Sequence, residues 1–118
     1  MKKVLLIEDD VSIIDFYQAF LRTKGGFQVI IATTLEEAEK LFFANKESLD
    51  FVVTAACLRS GLPNTTSLLK ETIRPNFEGK IIAVSGDPAY RQDLLKSGAD
   101  YEMDKNEVPK FLSKQISL

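Results

Sequence analysis

The sequence predicts an α/β protein with one doubly wound parallel sheet, in which five strands alternate with five helices. Two patterns and the length predict this class. Short apolar runs recur five times along the 118 residues, and each is followed by a segment whose apolar residues have helical spacing. The length fits one domain, because domains usually have about 100–200 residues. We therefore treat residues 1–118 as a single (βα)5 domain.

The five apolar runs are the predicted strands. Most of them are continuous rather than alternating, which is typical of a parallel sheet that helices cover on both faces. They comprise residues 4–7, 29–32, 51–53, 81–84 and a weaker run at 101–103.

Capping and breaking residues delimit the first two helices. Gly25-Gly26 ends the first helix, and the second begins at Thr34, which forms a capping-box pattern with Glu37. The inward-facing residues are Ile13, Tyr17, Phe20 and Leu21 in the first helix and Leu35, Ala38, Leu41 and Phe42 in the second.

The last three helices are delimited in the same way. The Arg-Pro pair at 74–75 ends the third helix, and the Asp-Pro pair at 87–88 caps and starts the fourth. Gly98 ends the fourth helix, and Asn106 caps the fifth. The inward-facing residues are Leu68, Leu69, Thr72 and Ile73 in the third helix and Val108, Phe111, Leu112 and Gln115 in the fifth.

The composition excludes several kinds of partner and of chemistry. The chain has 15 Lys and Arg against 17 Asp and Glu, so its formal net charge of −2 gives no electrostatic reason to expect nucleic acid or an anionic membrane as partner. It has no histidine, which removes Ser-His-Asp and Cys-His nucleophile pairs, imidazole zinc ligands and phosphohistidine chemistry. The single cysteine, Cys57, cannot form an internal disulfide, and we expect it to be a buried or half-buried small apolar residue.

The sequence leads us to expect a cytoplasmic protein. No stretch approaches the roughly 18 consecutive apolar residues that indicate a membrane-spanning helix. The apolar run at residues 4–7 ends at Glu8, so it is shorter than the core of a signal peptide, which has about 7–15 residues.

Polar residues follow four of the five predicted strands. They are Glu8-Asp9-Asp10 after the first strand, Thr54-Ala55 after the third, Ser85-Gly86 after the fourth and Asp104-Lys105 after the fifth. In an open parallel sheet these strand ends meet at one edge, where α/β proteins bind their ligands. Carboxylates, a hydroxyl and an ammonium group at one edge suit a magnesium ion and a phosphoryl group.

Together these segments resemble the receiver domain of two-component response regulators over essentially the full length of the chain. The resemblance is carried by VLLIEDD at 4–10, LDFVVTA at 49–55, IIAVSG at 81–86 and GADYEMDK at 98–105. It implies a CheY-like domain with the flavodoxin-like strand order 2-1-3-4-5 and a role in phosphorelay signal transduction.

The resemblance also implies a role for each site residue. Glu8 and Asp9 occupy the acidic pair that holds Mg²⁺, with the backbone carbonyl of Cys57 as a further ligand. Ser85 occupies the position of the hydroxyl that turns toward the phosphoryl group, and Lys105 that of the lysine that contacts it. The phospho-accepting aspartate of the family falls at position 55, where this chain has Ala55.

Ala55 removes the nucleophile, a metal ligand and the partner of Lys105. A methyl group cannot form an aspartyl phosphate, and Mg²⁺ binding is expected to be weakened because this ion has few protein ligands. We expect Lys105 to turn toward Glu8, Asp9 or Asp10 instead. Two origins remain open, a natural pseudo-receiver and an engineered Asp→Ala variant. Drift at other family positions favours the first, and the retained site residues favour the second.

Without phosphorylation, the implied function is protein–protein contact, with a histidine kinase or a downstream effector as partner. The fourth helix, the fifth strand and the fifth helix form the partner surface that the resemblance implies. In this chain it includes Asp87, Tyr90, Arg91, Leu94, Tyr101 and Glu102. Taken singly, Ser85 is more typical of a turn, Lys105 of a solvated surface and both tyrosines of core packing.

Two other functions are weaker alternatives. The EDDV segment at 8–11 is similar to the acidic nucleophile motif of haloacid-dehalogenase-like phosphatases, which would make the chain a small Mg²⁺-dependent phosphohydrolase. Glu8, however, replaces the nucleophilic aspartate of that motif. A flavodoxin-like domain that binds a small anion or a nucleotide is the third alternative, but no glycine-rich phosphate loop follows the first strand.

Overall fold

The computed structural model describes the backbone of residues 2–117 and the side chains of residues 2–23 and 26–115. Five strands form one sheet, and all of its pairings are parallel. The strands are β1 (Lys2–Ile7), β2 (Phe27–Ala32), β3 (Phe51–Ala55), β4 (Lys80–Val84) and β5 (Tyr101–Met103). Their order in the sheet is β2-β1-β3-β4-β5, which confirms the predicted flavodoxin-like order. No helix within residues 2–117 is both long and apolar enough to cross a membrane.

Three α-helices and one π-helical segment connect the strands, and a fourth α-helix follows β5. The α-helices are α1 (Val11–Phe20), α2 (Leu35–Asn45), α3 (Pro88–Lys96) and α4 (Val108–Ser117), so the fourth and fifth predicted helices are α3 and α4. The π-helical segment, Leu68–Ile73, stands where the third helix was predicted and runs into a 3-10 turn at Arg74–Asn76. Pro75 has no backbone N–H, so it cannot continue a helical hydrogen-bond ladder, and the segment tightens and ends there.

The predicted stops and starts are largely confirmed. A π-helical turn, Leu21–Gly25, extends α1, and Gly26 ends it with a φ of 67°, the left-handed conformation that favours glycine. Asp87 caps α3 by accepting a hydrogen bond from the Ala89 N–H at 2.9 Å. At the start of α2, Thr34 accepts from the Glu37 N–H at 3.1 Å.

Two capping predictions need correction. In the capping box, the Glu37 carboxylate accepts from the backbone N–H of Thr33 at 2.7 Å, one residue before the expected Thr34. Asn106 does not cap the last helix, which begins two residues later at Val108. The turn before that helix is instead closed by Asp104, whose carboxylate accepts from the Asn106 N–H at 3.1 Å.

The sheet separates two apolar cores, because successive strand residues point to opposite faces. One face packs against α1 and α4, and its buried residues include Val4, Leu6, Tyr17, Val53, Ile82 and Leu112. The other face packs against α2, the π-helical segment and α3, and its buried residues include Leu5, Ile7, Phe42, Val52, Ile81 and Leu94. Helices therefore cover both faces of the sheet, as the continuous apolar strands predicted.

Candidate functional site

The carboxyl edge of the sheet brings the ends of four strands together. Ile7 is paired with Thr54, Ala55 with Val84, and Val84 with Met103. The residues that follow these strands therefore lie along a single edge. Glu8, Ala55, Ser85 and Lys105, which come from four separate parts of the sequence, are all positioned there.

Glu8 and Lys105 form an ion pair across this edge. The Lys105 Nζ lies 3.1 Å from Oε1 of Glu8, whose side chain is 4% exposed, whereas that of Lys105 is 30% exposed. The other carboxylate oxygen of Glu8 accepts from the backbone N–H groups of Asp9 and Asp10, at 2.9 and 3.2 Å. Lys105 follows β5 and Glu8 follows β1, so the pair connects segments on either side of β3 and β4. Of the three predicted acidic partners, Lys105 thus pairs with the buried one.

Asp9 and Asp10 are engaged by backbone groups. Asp9 accepts a hydrogen bond from the Arg59 N–H at 2.9 Å. Arg59 has a φ of 52°, a left-handed conformation that costs a non-glycine residue about 1–2 kcal/mol. Asp10 caps α1 by accepting from the N–H groups of Ser12 and Ile13. Asp9 thus helps to hold the loop after β3, and Asp10 holds the first turn of α1.

Ala55 ends β3 as a buried methyl group in a hydrogen-bonded frame. Its carbonyl oxygen accepts from the hydroxyl of Thr65 at 2.7 Å and from that of Thr54 at 3.0 Å. Farther along the loop, the side-chain amide of Asn64 both accepts from the Leu58 N–H and donates to the Leu58 carbonyl. Thr65 and Asn64 were not predicted as site residues, although such polar residues after a strand are typical of local turn hydrogen bonds.

Ser85 lies at the end of β4 and is tied to its own loop. Its hydroxyl oxygen accepts from the Asp87 N–H at 3.0 Å, and its carbonyl accepts from the Arg91 guanidinium at 2.9 Å. The same guanidinium forms an ion pair with Glu102 on β5, at 3.0 Å. Arg91 therefore links the Ser85 loop to β5, the strand at the edge of the sheet. The sequence alone did not predict this connection.

Tyr17 holds the backbone of Lys105 through a hydrogen bond. Its side chain is almost completely buried, and its hydroxyl donates to the backbone carbonyl of Lys105 at 2.6 Å. Burial raises the pKa of this phenol, and the negative charges of Glu8 and Asp104 raise it further. The sequence placed Tyr17 only in the apolar stripe of α1. Its polar hydroxyl was the available clue, since a buried tyrosine hydroxyl usually finds a hydrogen-bond partner.

Cys57 is half-buried, as predicted, and lies within electrostatic range of the site. Burial raises the pKa of its thiol, the nearby Lys105 opposes this shift, and Asp9, Asp87 and Glu8 add to it. The fold thus supplies a basic neighbour that the sequence did not show. Because burial and three carboxylates outweigh that one ammonium group, the thiol stays protonated at neutral pH.

The residues at this edge do not fit a resident Mg²⁺ in this arrangement. Within the described residues, no three Asp, Glu or Cys side chains come close enough to hold a metal ion together. Both oxygens of Glu8 are engaged, one of them by the Lys105 ammonium, and Asp9 is bonded to the loop after β3. Ala55 contributes no side-chain oxygen, whereas Mg²⁺ requires a nearly regular octahedron of oxygens.

The partner surface that the resemblance implies contains five accessible residues and one buried residue. Asp87 is exposed, and Tyr90, Arg91, Tyr101 and Glu102 are half-buried. Tyr101 packs against Phe111 of α4, with ring centroids 4.8 Å apart and ring planes tilted by 56°. Leu94 is fully buried in the core between α3 and the sheet, so it cannot contact a partner. Its position on the inner face of α3 is the reason for this correction.

Comparison with known proteins finds structural relatives but no close sequence relatives. No protein-family model matches the chain, and no curated protein matches it. A two-component response regulator from Clostridium difficile is 24% identical with a TM-score of 0.80, and the match covers 99% of this chain and 96% of that one. A CheY-like response regulator receiver domain protein from Methanospirillum hungatei is 26% identical with a TM-score of 0.71, covering 99% and 91%.

A third similar structure contains ligands. It is a response regulator protein from Burkholderia pseudomallei with a phosphorylated aspartic acid, a calcium ion and citrate. It is 20% identical with a TM-score of 0.76, and the match covers 99% of this chain and 71% of that one. The strand order and these similarities show that the chain has the receiver-domain fold of two-component response regulators.

Proposed function

We propose that this chain is a receiver domain of two-component signalling that is not phosphorylated in the usual way and acts through contacts with a protein partner. The observation that carries the proposal is the composition of the carboxyl edge. Glu8, Ser85 and Lys105 stand at the ends of β1, β4 and β5, around a buried methyl group at the end of β3. The edge thus retains the supporting groups of a receiver site without its nucleophile.

The chemistry of phosphotransfer explains why Ala55 is decisive. The family forms an aspartyl phosphate, in which a carboxylate oxygen attacks phosphorus and the donor's leaving group departs. The hydroxyls of Thr54 and Thr65 contact Ala55, but both are buried and donate to its carbonyl oxygen. Neither is placed to replace the carboxylate. The chain is therefore not an enzyme in this proposal.

The same geometry supports weakened Mg²⁺ binding. Glu8 and Asp9 are the residues that would hold the ion, with the Cys57 carbonyl as a further ligand. Their described contacts leave few free oxygens, because Lys105 and the Arg59 N–H already occupy them. These contacts also argue against a phosphohydrolase, which would need a carboxylate free to attack.

The partner surface in this proposal is formed by α3, β5 and α4. The ion pair between Arg91 and Glu102 holds α3 against β5, and Tyr90 and Tyr101 are accessible beside it. A histidine kinase or a downstream effector is the class of partner that this surface would contact, in the cytoplasm.

The experiment restores the missing carboxylate. The Ala55→Asp variant is incubated with acetyl phosphate and Mg²⁺ and followed by intact-protein mass spectrometry, with Ala55→Asn as a control of matched size without a nucleophile. We expect one phosphoryl group on the Ala55→Asp variant and none on the control. A folded Ala55→Asp variant that takes up nothing would contradict a retained receiver site.

A further inference from the structure

We infer that the Lys105 ammonium is the resident cation of this edge and competes with Mg²⁺ for Glu8, so that this lysine keeps the metal from the site. The inference rests on the proposed function only in treating this edge as a receiver site. It goes further because it assigns the cause of weak metal binding to Lys105, and not to the missing carboxylate alone.

The charge of Glu8 requires a counterion within the protein. Its side chain is 4% exposed, and an ionised carboxylate is costly to bury unless it is paired and hydrogen-bonded. Lys105 supplies the opposite charge at 3.1 Å, and two backbone N–H groups satisfy the other oxygen. Glu8 is therefore compensated without any bound ion.

Lys105 is also held in place. Its backbone carbonyl accepts the hydrogen bond from the buried Tyr17 hydroxyl, which fixes the start of the β5–α4 loop against α1. Ala55 has no charge to draw the ammonium group away, and within the described residues Glu8 is the one ion-pair partner of Lys105. Asp9, the nearest alternative in sequence, is bonded to the Arg59 N–H.

A divalent cation would have to displace this ammonium group. It would need Oε1 of Glu8, the atom that Lys105 contacts, and it would bring like charges close together. Removing the lysine charge should therefore create metal affinity, even though Ala55 is unchanged. The ligand that this change frees is Oε1 of Glu8. Asp9, whose Oδ2 stays bonded to the Arg59 N–H, and the Cys57 carbonyl would complete the set.

The test measures thermal unfolding in MgCl₂ and in NaCl of matched ionic strength, without any phosphoryl donor. The variant is Lys105→Met, and the control is Lys110→Met, which removes an exposed α4 lysine that has no described ion pair. The native chain and the control should each have the same melting temperature in MgCl₂ as in NaCl. Lys105→Met should melt about 4 °C or more higher in MgCl₂ when the ion is present at about tenfold its Kd.

A second variant separates the ion pair from general damage. Lys105→Met leaves Glu8 buried and unpaired, whereas Lys105→Met with Glu8→Gln removes both charges. The double variant should melt higher than the single variant in NaCl and should not respond to Mg²⁺. If Lys105→Met unfolds in NaCl, MgCl₂ should restore its folding.

Three results would overturn the inference. One is a Mg²⁺-specific rise in the native chain as large as that in Lys105→Met. Another is a folded Lys105→Met variant that does not respond to Mg²⁺, and the third is an unfolded one that Mg²⁺ does not rescue while the double variant folds. Because no phosphoryl donor is present, these results are independent of the phosphorylation experiment.

Discussion

Replacing Tyr17 by phenylalanine removes a single buried hydroxyl and tests how the site is supported. The hydroxyl donates to the Lys105 carbonyl at 2.6 Å, and the phenylalanine ring fills the same space in the core. The net contribution of such a hydrogen bond is about 0.5–1.5 kcal/mol, and an unsatisfied buried acceptor costs about 1–3 kcal/mol. Within these ranges we expect a loss of about 1–2 kcal/mol at neutral pH.

The same variant has a pH signature with a defined sign. The pKa of Tyr17 is raised above its ordinary value of 10.0 in the folded protein, so the unfolded chain loses this proton first. The stability that depends on the protonated phenol is fully present below pH 10 and is lost as pH rises toward the folded pKa. At about pH 11 the free energy of unfolding of the native chain has fallen by about 1.4 kcal/mol through this titration, whereas that of Tyr17→Phe is unaffected by it. The two proteins should therefore be nearly equally stable there.

Urea denaturation followed by circular dichroism gives the free energies of unfolding at neutral pH and near pH 11. Tyr101→Phe is the control, because the Tyr101 hydroxyl has no described hydrogen bond and its ring already packs on Phe111. It should change stability by less than about 0.5 kcal/mol at neutral pH. A Tyr17→Phe variant as stable as the native chain at neutral pH, or a deficit that does not shrink at high pH, would refute this reasoning.

Three further substitutions test the stability of the fold at both edges of the sheet, by urea denaturation at neutral pH. Arg74→Ala removes a guanidinium that donates to three backbone carbonyls and to Asp100, and should cost about 2–3 kcal/mol; a cost under about 0.5 kcal/mol would contradict that role. Gly98→Ala should cost about 1–3 kcal/mol, because Gly98 has a φ of 124° and an added Cβ would lie 2.8 Å from Arg74 Cγ; a neutral result would show that this turn can relax. Asp10→Ala should cost about 1 kcal/mol through the loss of the α1 cap, and Asp10→Asn, which can still accept the same N–H groups, should recover most of it.

Most of the fold follows from local patterns in the sequence. The run at residues 4–7 has no polar alternation, so it predicted a strand buried on both faces, and Val4 and Leu5 indeed lie in opposite cores. The Asp-Pro pair at 87–88 predicted the start of α3 to the residue, because proline is favoured at the first helical position. The π-helical form of Leu68–Ile73 could not be predicted, since its apolar spacing also suits an α-helix.

The sequence predicts which residues form the candidate site, but only part of how they contact one another. Lys105 had three acidic candidates in sequence, and burial of Glu8 at the end of β1 decides between them, because a buried carboxylate gains most from a counterion. The Tyr17 contact joins residues 88 positions apart, and the packing of α1 against the β5–α4 loop creates it. Leu94 was expected on the partner surface because it belongs to α3. It lies on the face of that helix that packs into the core.

The most direct test of the central claim uses the native chain. It is incubated with acetyl phosphate and Mg²⁺, and its intact mass is compared with that of a sample without the phosphoryl donor. A buried methyl group at position 55, with Glu8 and Lys105 paired beside it, predicts no gain in mass. Uptake of one phosphoryl group by the native chain, through a linkage that is either stable or labile in acid, would contradict the proposal that this receiver fold works without phosphorylation.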